Sequence, residues 1–258
     1  MGVSSEDELV RLIEKERESG VFLSVLGFGT GNYQDGNMQQ LADKGNGNHY
    51  YIDGLQEAKK VLVNEMSGTL FTIAKDVKIQ VEFNPAKAQA YRLIGYENRM
   101  LNKEDFNDDK KDAGEIGAGH TVTALYEIIP IGVKSDFVKP VDQLKYQKTG
   151  NIERNNSNDL FTVKLRYKKP DEEESRKMTI PVADSNGDWG NASDNFRMAA
   201  AVAEFGMVLR NSEYKSKGSY EQALAIAKTA KGIDENGYRA EFTGLIKAAE
   251  KLSSKLND

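Results

Sequence analysis

Residues 73–85 read Ile73-Ala74-Lys75-Asp76-Val77-Lys78-Ile79-Gln80-Val81-Glu82-Phe83-Asn84-Pro85. Val77, Ile79, Val81 and Phe83 alternate with Lys78, Gln80 and Glu82. A period of two marks a strand with one face toward a core, and Asn84-Pro85 ends it. This stretch divides the chain, because the apolar period is 3.6 before it and again after residue 190.

Upstream, elements alternate between helix and strand. Ser5-Glu6-Asp7-Glu8 has the form of a capping box, with Leu9, Leu12 and Ile13 following at helical spacing and Gly20 as the stop. Val21–Leu26 is an almost wholly apolar run, which predicts a strand buried on both faces of a parallel sheet. Gly27–Asn32 is a loop, 38–44 a short helix, His49–Ile52 a second strand and 55–70 a longer helix. The order α-β-α-β-α points to parallel strands joined by right-handed crossovers.

Downstream of 73–83, strands are expected at 90–96, 121–130, 160–168 and 177–182, separated by the charged loops 102–112 and 147–159. No helical pattern long enough for a crossover separates them, so an antiparallel sheet or sandwich is expected. The last third is helical. Ser193 or Asp194 caps a helix with Phe196, Met198, Val202, Phe205 and Leu209 on one face. Ser219 with Gln222 opens a second helix, and 238–252 forms the last, with Phe242, Leu245, Ile246 and Ala249 inward. The expected division is residues 1–72, 73–183 and 184–258: an α/β segment, an antiparallel β domain and a helical cover, giving α/β plus α+β.

Composition limits the chemistry. The 258 residues contain no cysteine, which excludes disulfides, thiolate metal sites and a cysteine nucleophile. Lys+Arg 35 against Asp+Glu 40 gives −5, which argues against nonspecific nucleic-acid binding. With a mean hydropathy of −0.60, no apolar stretch is long enough to span a bilayer. The acidic N-terminus lacks the basic and apolar regions of a signal peptide.

The motifs are weak. Gly27-Phe28-Gly29-Thr30-Gly31-Asn32 follows a strand as a dinucleotide fingerprint does, but the third glycine is Asn32. Asp184-Ser185-Asn186-Gly187-Asp188 opens like a calcium loop, yet Trp189 and Asn195 stand where glycine and glutamate are required. An Asx-rich turn is the plainer reading, with Trp189 packed over a helix–sheet junction. His49 and His120 are 71 residues apart and suggest local hydrogen bonds rather than a shared site. Asp105, Asp108, Asp109 and Asp112 are interleaved with lysines, as in a solvated loop. Tyr91, Tyr96, Tyr126 and Tyr167 suggest cross-strand packing or a recognition face. No catalytic, cofactor-binding or metal-ligating residue is assigned. The alternative is an enzyme acting through carboxylates, Glu82 or Glu127 with Tyr91 or Asp105.

Several blocks resemble one bacterial family: Gly27–Tyr33, Met38–Asp43, Gly45–Tyr51, Ile73–Pro85, Ala90–Arg99, Ala118–Pro130 and Phe196–Arg210. These resemble von Willebrand factor type A (VWA) domain proteins of the YfbK type, including the domain of unknown function that follows the VWA domain. The resemblance implies a doubly wound α/β fold with a Mg²⁺ adhesion site, a protein partner and a cell-envelope location, periplasmic or as an outer-membrane lipoprotein. The family's Asp-x-Ser-x-Ser, middle-loop Thr and Thr-Asp-Gly motifs have no match in this sequence, so no ligand is carried over. The expectation is a back portion of a longer protein, serving as a noncatalytic interaction or structural module. Homo-oligomerisation through the helical tail is a further expectation.

Overall fold

A computed structural model describes residues 5–29, 31, 34–111, 113–138, 157–185 and 187–256. Helices and antiparallel strands are mixed, and the last third is helical. The chain forms two compact units. The first comprises Met1–Glu82, Leu101–Val122 and Thr162–Pro181; the second comprises Phe83–Met100, Thr123–Phe161 and Val182–Asp258.

The first unit opens with α1 (Glu6–Glu18), whose cap Ser5 accepts from the Glu8 N–H at 3.3 Å. Strand β1 (Val25–Phe28) pairs in parallel with β2 (His49–Ile52), Val25 opposite His49 and Phe28 opposite Ile52. Helix α2 (Asp35–Lys44) lies between them in sequence, and Lys44 pairs with Glu14 of α1 at 3.0 Å. Ile13, Ala42, Ile52 and Val61 are buried. Gly47 is required by close approach, since a Cβ there would sit 1.8 Å from the Leu23 carbonyl oxygen.

The run Val21–Leu26 differs from expectation. The strand begins only at Val25, and Val21 is 58% exposed, with Phe22 and Leu23 exposed beside it. The physical reason is twofold. The Leu23 N–H bonds to the Gly45 carbonyl at a turn, and β1 and β2 make a sheet of two strands among the described residues, too few to cover both faces.

The helix expected at 55–70 is broken. It comprises α3 (Leu55–Lys59), a wide turn Lys60–Asn64 in which the Glu65 N–H reaches back five residues to Lys60, and α4 (Met66–Leu70). One extra residue in that turn rotates the apolar stripe. Val61 is then buried while Leu55, Val63 and Leu70 are exposed.

A four-stranded sheet has the order β5-β3-β7-β8: β3 (Thr72–Phe83), β5 (Gly114–Gly117), β7 (Asp159–Lys168) and β8 (Arg176–Ala183). Strands β3 and β5 are antiparallel, with the register slipping between Thr72 and Val77. Asp76 sits in that irregular stretch at φ +52°, which a non-glycine residue adopts at an energetic cost. The expected alternation fails just beyond it and returns by the end of the strand, where Glu82 is exposed and Phe83 buried. Lys78 is 2% exposed, whereas Ile79 is 52% exposed. Strand β8 ends the strand order, and Met178 and Ile180 on it are exposed.

In the second unit, β4 (Ala88–Ile94) runs antiparallel to β6 (Leu125–Pro130), with Tyr91 opposite Ile128 and Ile94 opposite Leu125. Phe83 anchors an aromatic cluster, its ring 4.2 Å from Tyr91, 5.3 Å from Tyr126 and 5.5 Å from Phe161. Burial, with Tyr91 adding a smaller effect, pushes the Tyr126 hydroxyl pKa up. These tyrosines therefore pack across strands.

Three helices complete this unit: α5 (Asp194–Leu209), α6 (Tyr220–Thr229) and α7 (Tyr238–Leu256). Their core is Met198, Ala201, Ala223, Ala227, Ala230 and Ile246, with Phe205 and Phe242 packed edge to face at 5.5 Å. The expected face of α5 is half right. Met198 and Phe205 point inward, but Phe196, Val202 and Leu209 are exposed, and Leu245 of α7 is exposed as well. Alanines, which carry little hydropathy signal, form the closest contacts. Trp189 is 48% exposed and meets Phe196 edge to face at 6.1 Å, so it does not cover a buried junction.

Ser193 and Ser219 accept hydrogen bonds from the N–H groups of Phe196 and Gln222, as their caps predict. Ser219→Ala is expected to destabilise α6 by about 1 kcal/mol, measurable as a lower urea midpoint.

Candidate functional site

An apolar groove of about 400 Å³ lies within the second unit, between α5 and the ends of β4 and β6. Ile94, Leu125, Val202 and Met207 give it apolar walls. Ala199, Ala203 and Gly206 form a floor of small side chains on α5, and Arg210 closes one end. The helical spacing of positions 199, 203 and 206 puts these residues on one face.

Gly206 has no local explanation. Glycine inside a helix costs about 1 kcal/mol relative to alanine. A Cβ at this position would meet nothing within 4 Å beyond its own helical turn, and its φ is not left-handed. The missing side chain leaves helix backbone open to the groove.

The walls are held by polar contacts. Arg92 reaches Met207 Sδ at 3.4 Å, pairs with Glu127 at 2.6 Å and stacks 4.2 Å above the Tyr214 ring. At the rim, Tyr96 is left-handed at φ +62°, and its hydroxyl donates to the Thr123 carbonyl at 3.0 Å. Both guanidinium NH2 groups of Arg210 reach one oxygen of Glu97 at 3.3 Å. Hydrogen bonding from its own backbone, with Arg210 beside it, holds the Glu97 carboxyl below the usual range.

The residues considered for carboxylate chemistry are placed separately. Glu82 accepts from Lys164 at 2.5 Å in the first unit. Glu127 is occupied by Arg92, and Asp105 accepts from Asn102 at 3.2 Å. His49 Nε2 is 3.7 Å from Asp35, and the His120 backbone closes a turn on Gly117. Asp184 pairs with Lys87 at 3.3 Å. Asn186 of the calcium-like run lies outside the described residues, as do Thr30, Asn32 and Tyr33 of the glycine-rich loop. Among the described residues, no group of three or more His, Asp or Glu side chains is placed to hold a metal ion. The Mg²⁺ implied by the resemblance therefore has no fitting donor set there.

The acidic loop is docked rather than solvated. Lys168, 6% exposed, donates to the Asp109 carbonyl at 2.8 Å and pairs with Asp76 at 2.7 Å. Lys78 donates to the Asp108 carbonyl, Arg166 pairs with the Asp109 carboxylate at 3.0 Å, and Phe106 is buried. Asp112 lies outside the described residues. Ser175 and then Arg166 hold the Asp109 carboxyl below its ordinary 3.8. The stabilisation this gives is complete above that value and is lost as pH falls through the lower folded pKa. Asp76 raises the Lys168 pKa above 10.5, so that stabilisation is present below 10.5 and is lost as pH rises through the higher value. Hydrogen-exchange protection around Phe106, the observed rate relative to the intrinsic rate at each pH, is expected to be constant near neutrality and to fall below about pH 3.8.

The family model "Uncharacterized protein YfbK, C-terminal" matches residues 68–252, which takes in both sides of the groove. The chain belongs to the YfbK family. It is 44% identical over 255 residues to the uncharacterized protein YfbK of Escherichia coli (strain K12), covering 98% of this chain and 43% of that relative. The chain thus spans less than half the length of the YfbK relative it matches. The C-terminal family region begins at residue 68, inside α4 and just before β3. Residues before it, including β1 and β2, fall within the E. coli match because that match covers nearly the whole chain. No helix among the described residues is long and apolar enough to cross a membrane.

Proposed function

We propose that this chain is a noncatalytic protein-binding and structural module of a longer bacterial cell-envelope protein. The observation that carries this reading is the groove of the second unit. Its lining is apolar and small with a single cation, which suits capture of a side-chain ridge rather than proton transfer. The family resemblance supplies the envelope location, as a periplasmic protein or an outer-membrane lipoprotein.

Residues before 68 are proposed to be the closing part of a VWA-type α/β domain. A parallel pair of strands with Phe28 at 65% and Leu55 at 88% exposure is a poor unit alone. The occupant proposed for that face is the remaining length of the protein, in keeping with the 43% coverage of the E. coli relative. Any Mg²⁺ would belong to that remaining part. The carboxylate-enzyme reading has no observation that favours it, since Glu82 and Glu127 each face a cation.

The test is a photoreactive amino acid placed in the native cell, at Val202 in the groove and at exposed Glu250 on α7 as a control. The binding role predicts a discrete protein adduct from position 202 alone. Identical patterns from both positions would refute it.

A further inference from the structure

We infer that the groove of the second unit takes an amphipathic helix from a partner protein, and that the helix carries a carboxylate which docks on Arg210. The inference deepens the proposed binding role and rests on it.

Three observations specify the occupant. First, the floor is Ala199, Ala203 and Gly206, one helical face without bulk, and the walls are Ile94, Leu125, Val202 and Met207. Small residues on one helix let another helix approach its backbone, and apolar walls receive side chains spaced three or four apart. Second, Gly206 is open above its Cα, with nothing within 4 Å of a built Cβ. Among the described residues nothing uses that space, and alanine would make the better helix. An approaching backbone does use it.

Third, the lining carries a cation, and the carboxylate it meets stands outside the lining. Arg210 is the single ionised side chain in the lining. Glu97 supplies one oxygen to its two NH2 groups at 3.3 Å, with both side chains at least half exposed. A guanidinium carries five N–H donors, so this long, exposed pair leaves room for a second carboxylate. An Asp or Glu at one end of an apolar helix meets that requirement. It also fixes the direction in which the helix lies.

The experiment is selection of a phage-displayed random 16-residue peptide library on the immobilised full chain, repeated on three variants. The unaltered chain is expected to enrich peptides with apolar residues at i, i+3, i+4 and i+7 and an Asp or Glu at one end. Arg210→Glu is expected to replace that acid with Lys or Arg. Gly206→Trp is expected to weaken the selected peptides at least about tenfold. Gly206→Ala is expected to raise the urea midpoint while still weakening them, a combination that a purely structural glycine does not give. Binders that tolerate Gly206→Trp would overturn the groove as the surface while leaving a binding role intact. An unchanged acid preference against Arg210→Glu would overturn the carboxylate contact. Failure to enrich any peptide would overturn the inference, and adducts at Val202 would still report on the broader role.

Discussion

Asp76→Ala is expected to destabilise the first unit by about 3–5 kcal/mol, the largest effect of any single polar substitution proposed for this chain. The Lys168 side chain is 7% exposed, and Asp76 is its 2.7 Å ion-pair partner. Removing the carboxylate leaves an ammonium hydrogen-bonded to the Asp109 main-chain carbonyl at 2.8 Å, with the Asp109 and Glu173 charges acting on it without a direct ion pair. The change also withdraws the acceptor of the Ala113 N–H. A control separates charge from backbone. Asp76 is left-handed at φ +52°, a conformation that asparagine tolerates and alanine does not. Asp76→Asn should therefore lose the charge but spare the bulge, and fall between wild type and alanine. The double variant Asp76→Ala, Lys168→Met should recover most of the loss, since no buried charge is left unpaired. Urea unfolding followed by circular dichroism measures all four proteins. A loss below about 1 kcal/mol for Asp76→Ala would mean that the pair is solvated and stabilises little.

Ile246→Ala is expected to destabilise the second unit by about 4 kcal/mol, toward the upper end of the range for such truncations. Ile246 is 0% exposed and belongs to a core with Met198, Ala201, Ala223, Ala227 and Ala230. The alanines have no side-chain freedom with which to collapse into the space, so most of the cavity stays open. Ile246→Val should cost only about 1 kcal/mol. Trp189, the chain's single tryptophan, lies against Phe196 near the start of α5 and reports this unit by fluorescence. Equal losses for valine and alanine would show that the site repacks.

The sequence made the local signals plain where a single residue type decides the outcome. Ser5, Ser193 and Ser219 cap helices because an N-cap hydroxyl acts on the next turn and needs no distant partner. The strands β6 and β7 were legible from alternation, and the family from its blocks. What stayed hidden depends on residues far apart in sequence. The backbone irregularity at Asp76 breaks the alternation of β3 locally, so Lys78 goes inside, and its acceptor Asp108 is 30 residues away. The acidic run looked solvated because its cations, Arg166 and Lys168, lie on a strand nearly 60 residues downstream. The run Val21–Leu26 read as doubly buried because apolar content does not tell how many strands flank it. The groove gave no motif, since Ile94, Leu125 and Gly206 meet only in three dimensions. The one clue was a glycine inside an otherwise strong helix.

The binding role is tested most directly by the photo-adduct at Val202, measured in the chain as it stands and again with Gly206→Trp filling the groove. The account predicts a discrete protein adduct that Gly206→Trp abolishes while the variant's urea midpoint, followed by circular dichroism, stays near that of the unaltered chain. An adduct that persists with the groove filled, or an equal adduct from Glu250, would contradict it.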